Sequence, residues 1–373
     1  MGLAGRPFYN YFLYNSKPLP YNRLPYSNCS ERTIEIPLAL HLLRQSGAGS
    51  GESFLEVGNV LANYQELLAP YPVLSNRIII DKYEDSAAVL NLDFMEYDTK
   101  HSLILCLSTA AHYMKHGKGE NSSVDRETPL KAIRHIYNLL KPNGVAWITL
   151  PYGQLMDCDW LIQFSDEYLR LLSDAYGVPP DAIDVEYFRR QDMALQMNTP
   201  LQSWIQCDKE DLTDALYDSP FPFSNGIAVV RLRKIGNDVT ADPKQHEPLY
   251  FRPAPIISSL YFAPFIRPAG FDKDGFLAAG HPGYVFYGHH LTLSSRSYLL
   301  HTSIEIEGSG EFTLELTSGK GLNLLWNQTV SGKTELHSRI ELDQDALDAE
   351  IRLYKHNTSE CRIRVPFLRL TVA

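Results

Sequence analysis

The sequence predicts two folds in series: an α/β domain wound on a parallel sheet, then an all-β sandwich of jelly-roll type. Three observations carry this. The segment SFLEVGNVLANY (53–64) is a short apolar run that ends in Glu56 and then Gly58. The segment RIIIDKYED begins at residue 77 and ends its own apolar run in Asp81, 25 residues beyond Glu56. That separation fits a strand, a crossover helix and a second strand, the size of a βαβ unit. After residue 250 the pattern changes to short alternating segments split by turns such as Glu307-Gly308-Ser309-Gly310 and Ser331-Gly332. Seven or eight such segments in one stretch read as antiparallel strands of a sandwich.

The elements follow in chain order. Residues 1–30 are rich in Tyr, Asn and Pro and read as an extended arm that packs by its aromatics. SERTIEIPLALHLLRQ, from Ser30, reads as a helix with Ser30, Thr33 and Glu35 near its cap and Pro37 in its first turn. The first strand starts at Ser53. NLDFMEYD (91–98) reads as a short strand and turn, and LILCLSTAAHY (103–113) as a buried strand running into a loop. In TPLKAIRHIYNLLKPNG (128–144), Leu130, Ile133, Ile136, Tyr137 and Leu140 recur at helical spacing, and Pro142 and Gly144 end that helix. VAWITLPYG (145–153) is the next strand. Strand and helix alternate, which implies right-handed parallel crossovers.

Residues 157–218 read as mainly helical, through DWLIQFSDEYLRLLSDAYG and a second helix around EYFRRQDMALQ. WIQCDKEDLTDALYD reads as a strand and a helix, and FSNGIAVVRLRK (223–234) as a closing strand. The expected organisation is an arm at 1–30, an α/β domain at 31–236, a polar linker at 237–249 and the sandwich at 250–373.

Composition narrows the function classes. The chain has 373 residues, 44 acidic against 34 basic side chains and a net charge of −10. An acidic balance argues against non-specific nucleic-acid or anionic-membrane binding, both of which need basic patches. The five cysteines are scattered, with no C-x-x-C pair, so neither a disulfide framework nor a structural zinc is expected. No run approaches the ~20 apolar residues of a membrane span, and the N-terminus lacks an apolar core of signal length. The expectation is a cytoplasmic protein.

The loop after the first strand lacks G-x-G-x-x-G: Val60 and Asn63 stand where two glycines would be needed. No pyrophosphate therefore needs close backbone approach, and a ribose-bearing cofactor without phosphates fits better. At this point residues 30–235 resemble the class I S-adenosylmethionine-dependent methyltransferases. FLEVGN, IIIDKYE, NLDFMEYD, LCLSTAAHY and LKPNGVAWITLPYG follow the order of that family's blocks. The resemblance implies S-adenosylmethionine as cofactor. It places Glu56, Gly58, Asn59, Asp81, Asp93 and Ser108 around it, with Asp81 on the ribose and Asp93 near the adenine amino group. The other reading of Asp81 is a cap on the next helix.

His112, just past the fourth strand, is the candidate catalytic residue, a base for a hydroxyl nucleophile. His116 and Tyr152 are the candidate substrate contacts. In the sandwich, Tyr287 and Trp326 are candidates for stacking on sugar. The alternative for its aromatics is core packing and homo-oligomer contact. Three functions remain open: methyl transfer to a small molecule or glycan in surface-polysaccharide assembly, a non-catalytic scaffold of the same fold whose sandwich recognises glycan or a partner protein, or a glycosyltransferase-associated subunit whose interface is the sandwich. The glycine-poor loop and Lys100-His101 before the fourth strand suit the second.

Overall fold

A computed structural model describes residues 8–373 except 26, 27, 48, 50, 85, 113–124, 159, 160, 197, 198, 219, 254, 258–275 and 320. Clustering of the backbone divides the chain into two compact units: residues 1–156 with 161–252, and 157–160 with 253–373.

The α/β unit begins with a hairpin, β1 (Tyr11–Tyr14) and β2 (Lys17–Pro20). Tyr11 and Leu13 alternate with Phe12 and Tyr14, and the second pair is buried. Phe12 meets Phe188 edge-on at 6.0 Å and stacks on Tyr21 at 5.4 Å. The arm is therefore part of the core. Helix α1 (Arg32–Ser46) follows and buries Ile34, Ile36, Leu38 and Leu42. Pro37 is not in its first turn but inside the helix. A proline there leaves the carbonyl four residues back without its donor. That carbonyl belongs to Thr33, and the Asn22 N–H donates to it at 2.9 Å, which is why the helix tolerates the proline.

Strands β3 (Phe54–Val57), β4 (Arg77–Ile80), β5 (His101–Leu107) and β6 (Leu140–Pro151) pair in parallel, in the spatial order β4-β3-β5-β6. β3 is buried along its whole length, as a central parallel strand must be. The crossover from β3 to β4 carries only the one-turn helix α2 (Gln65–Leu68) between two 3₁₀ turns. The strand expected within 91–98 is absent. Leu90 alone forms a parallel bridge to Ile80, and Phe94–Glu96 makes a 3₁₀ turn capped by Asp93. A wound sheet's third strand is thus reduced to one bridge.

Helix α3 (Thr128–Asn138) ends earlier than its pattern suggested. Pro142 and Gly144 fall in the first part of β6, where the register with β5 shifts and Asn143 takes φ 63°. Gly144 is required there, because a Cβ would lie 2.8 Å from the Lys141 carbonyl oxygen. Beyond β6 come the short strands β7 (Met156–Asp157) and β8 (Ile162–Gln163), then α4 (Asp166–Asp174), capped by the Ser165 hydroxyl.

The segment EYFRRQDMALQ is not a helix. It lies in β9 (Ile183–Gln196), paired with β10 (Thr199–Cys207) on one side and β11 (Gly226–Arg233) on the other. Two flanking ladders override the helix propensity of those residues. Likewise only a 3₁₀ turn, Lys209–Leu212, follows β10. β11 runs antiparallel to both β6 and β9, giving the full order β10-β9-β11-β6-β5-β3-β4.

The second unit contains β12 (Arg252–Pro253, shared at the boundary), β13 (Pro255–Ile257), β14 (Leu277–Ala279), β15 (Gly283–Leu293), β16 (Ser297–Gly308) and β17 (Phe312–Ser318). It ends with β18 (Asn323–Val330), β19 (Lys333–Glu341), β20 (Ala346–Lys355) and β21 (Cys361–Val372). Two antiparallel sheets result: β13-β21-β16-β19 with β14 also on β21, and β15-β20-β17-β18. Alternate residues fill the interior, among them Tyr298, Leu300, Ile304, Phe312, Leu314, Ile351, Leu353 and Leu370.

Phe12→Ala should lower the stability of the α/β unit by about 3–5 kcal/mol, the usual cost of emptying a buried aromatic site. Urea unfolding followed by tryptophan fluorescence measures it, and an unshifted transition would show that the arm is dispensable.

Candidate functional site

The carboxyl edge of the parallel strands gathers most of the candidate residues. β3 ends with Glu56, whose side chain is 1% exposed. One carboxylate oxygen accepts the Leu61 N–H at 2.7 Å, and the other lies 3.5 Å from the Arg77 guanidinium. The buried bond to Leu61 folds the chain back over the strand end. The next turn is fixed by Gly58, whose N–H donates to the Ile80 carbonyl at 2.8 Å. Gly58 has φ 82°, and a Cβ there would lie 2.3 Å from Thr109 Oγ1. Glycine is needed for both reasons.

Because Ile80 is the neighbour of Asp81, this bond sets Asp81 beside the Gly58 turn. Asp81 Oδ1 accepts the N–H groups of Tyr83 at 2.8 Å and Glu84 at 3.1 Å. That is a local Asx-type turn, and no helix follows it. Among the described residues Asp81 Oδ2 has no partner. Asn59 donates to the Glu84 carboxylate at 2.6 Å, while its own side-chain oxygen is buried without a protein partner. Asp81 Oδ2 therefore has capacity for a ligand's donors, whereas Asn59 Oδ1 is shut off from solvent. A vicinal diol supplies two such donors.

The remaining candidates differ. Both Asp93 oxygens are engaged: one caps Met95 at 3.0 Å and the other pairs with Lys82 Nζ at 2.7 Å. The Ser108 hydroxyl points inward and donates to Glu35 at 2.6 Å. His112 is exposed at the end of a 3₁₀ turn after β5, on the same carboxyl edge. His116 lies outside the described residues. Tyr152 follows β6 and is 2% exposed, its ring 4.8 Å from that of Tyr187. Burial and the bond to Tyr187 hold the Tyr152 phenol well above its ordinary range, so it stays neutral.

Tyr152 forms one wall of a cavity of about 680 Å³ in the α/β unit, together with Gln154, Asp166, Lys209, Tyr250 and Arg252. Lys209 and Asp166 pair at 3.0 Å, and Arg252 donates to Gln154 at 2.6 Å. The lining thus carries the Lys209–Asp166 pair, the acids Glu167 and Glu210, and one exposed ring, that of Tyr250.

The sequence reading missed a buried network under this edge. Arg32 binds Glu35 at 2.5 Å and the Leu107 carbonyl, at the end of β5, at 3.3 Å. Glu35 is fully buried and Glu31 nearly so. Burial, then the charge of Glu35, pushes the Glu31 carboxyl above its usual range. The signal was present. Glu35 shares a helix face with Leu38 and Leu42, and an acid on an apolar face needs a partner.

The α/β unit is a Rossmann-like wound sheet in which β4, β3, β5, β6 and β9 run one way and β11 and β10 run the other. It is fused in this chain to a β-sandwich. No protein-family model matches the sequence, and no curated protein does. Solved structures with partial likeness include the N-methyltransferase NodS from Bradyrhizobium japonicum WM9 in complex with S-adenosyl-L-homocysteine. It shares 13% identity and a TM-score of 0.30, covering 56% of this chain and 88% of that one. A SAM-dependent methyltransferase from Archaeoglobus fulgidus shares 14% identity and a TM-score of 0.34, covering 54% and 96%. The CBM22-1–GH10 modules of Clostridium thermocellum xylanase 10B, complexed with xylohexaose, share 11% identity and a TM-score of 0.17, covering 21% and 17%. The fold assignment rests on the strand order, not on these superpositions. Among the described residues no helix is long and apolar enough to cross a membrane.

Burial pushes the Glu56 carboxyl up to about 7, against the opposing pull of the Leu61 N–H and Arg77. The folded chain then holds a proton that the unfolded chain releases above its ordinary value near 4.5, so stability falls as pH rises between the two. Glu56→Gln removes that titration. Wild type should lose up to about 3 kcal/mol relative to the variant between pH 5 and 8. Thermal melts across that range test this, and parallel profiles would contradict it.

Proposed function

We propose that the α/β unit is an S-adenosylmethionine-dependent methyltransferase acting on a small molecule or glycan, in surface-polysaccharide assembly. The observation that supports it most is the unsatisfied acceptor beside the Gly58 turn, Asp81 Oδ2. A ribose would donate its hydroxyls to it. Gly58 sits at the strand–turn junction where nucleotide-like cofactors bind in wound sheets. The bound cofactor supplies an electrophilic methyl group.

The chain's own task is to align the acceptor and exclude water, since methyl transfer is an in-line displacement. The cavity behind Tyr152 is the proposed acceptor site. It lies on the same carboxyl edge, two strands from β3, a lateral separation of about 10 Å at ordinary strand spacing. His112 is the proposed base for a hydroxyl acceptor.

A second reading has a specific observation behind it. Thr109 fills the space over Gly58, Asp93 is engaged on both oxygens, and the β3–β4 crossover has almost no helix. These suit a unit that retains the fold without catalysis and serves as a scaffold.

Calorimetry with S-adenosylmethionine separates the two. The enzyme reading predicts micromolar binding that Asp81→Ala weakens by ~1–3 kcal/mol, the scale of a bond whose partner is left unpaired. Absence of binding at millimolar cofactor would favour the scaffold, and wild-type affinity in Asp81→Ala would remove Asp81 from the site.

A further inference from the structure

The face of the four-stranded sheet turned away from the sandwich interior carries an organised row of side chains. In antiparallel pairs, directly opposed residues project from the same face. Tyr287 opposes Arg352, Arg352 opposes Glu315, and Glu315 opposes Asn327. These four side chains therefore form one line across β15, β20, β17 and β18. At ordinary strand spacing the line is about 14 Å long. A second line runs beside it: Tyr284, Tyr354, Thr313 and Thr329.

The chemistry of this face is specific. Tyr287 is 61% exposed and Tyr284 46%. Their rings meet at 65°, with centroids 6.0 Å apart, so the ring faces form a corner. Tyr354 meets Tyr284 edge-on at 5.0 Å. Arg352 sits over Tyr284 at 5.3 Å and is held there by a buried ion pair with Glu350. That pair cancels its charge. Among the described residues, the Glu315 carboxylate and the Asn327 amide have no protein partner. Trp326, by contrast, opposes Leu316, whose side chain fills the interior, so it projects from the other face. Tyr287 and Trp326 do not form one platform.

We infer that this face binds a neutral carbohydrate chain. Rings gathered on β15 and β20 stand beside polar groups on β17 and β18, which suits a ligand that presents both apolar C–H patches and hydroxyl pairs. The two lines contain no lysine, and their arginine is neutralised, so a nucleic acid or an anionic membrane has nothing to bind. They contain no large aliphatic side chain either, which a protein interface core would supply. The inference is independent of methyl transfer by the α/β unit.

Affinity electrophoresis tests it, with the full-length protein in native gels containing soluble β-1,4-glucan, β-1,4-xylan or galactomannan. At least one polymer should retard the wild type. Tyr287→Ala and Asn327→Ala should each weaken that retardation by roughly tenfold, while His337→Ala, on the other sheet, should not. Both tested side chains are exposed, so the variants should fold, and unchanged thermal melts would show it. No retardation in any gel, or retardation indifferent to both substitutions, would overturn the inference. A concentration-dependent dimer abolished by Tyr287→Ala would assign the face to a second copy of the chain, and would also overturn it.

Discussion

The α/β unit depends on one buried bond, that from the Leu61 N–H to the Glu56 carboxylate at the end of β3. β3 lies between β4 and β5 and exposes nothing to water. A carboxyl group placed there must be bonded, protonated or both. The structure bonds it, and burial raises its pKa to about 7. The consequence is geometric. The turn after β3 is drawn back, Gly58 meets Ile80, and Asp81 and Asn59 come to one place. Every proposed contact with a cofactor follows from that closure.

Beneath it lies a second layer of charge. Arg32, Glu35 and Ser108 connect the start of α1 to the end of β5, and Glu31 beside them accepts the Ser224 N–H. Such a buried network is weak evidence for stability, because desolvation offsets most of the attraction. Its evident effect is positional: it pins the helix start to the strand end that borders the site. The sandwich uses none of this. Its interior is mainly apolar with a buried ion pair of its own, Arg352 with Glu350, while others such as Arg364 with Glu305 lie nearer the surface.

Much of this was legible in the residues. The apolar runs ending near Glu56 and Asp81 marked two parallel strands, and the alternation after residue 250 marked the sandwich. What failed has physical causes. Residues 183–196 have helix formers in sequence but two strand partners in space, and pairing at that distance leaves little local trace. Pro37 marks a helix start only if no other donor reaches Thr33, and Asn22 does. Asp81 was legible as a ligand or a cap. No helix follows it, and one oxygen instead closes a local turn while the other has no partner among the described residues, which no sequence pattern could show. Tyr287 and Trp326 seemed alike as aromatics of the sandwich, yet the pairing of Trp326 with the interior residue Leu316 sets them on opposite faces.

Amide hydrogen exchange of the full chain, with and without S-adenosylhomocysteine, tests the central claim most directly. The account predicts slower exchange confined to the amides of residues 58–61 and 82–84 and the neighbouring carboxyl edge of the sheet. Unchanged exchange at those amides, with protection elsewhere or nowhere, would contradict it.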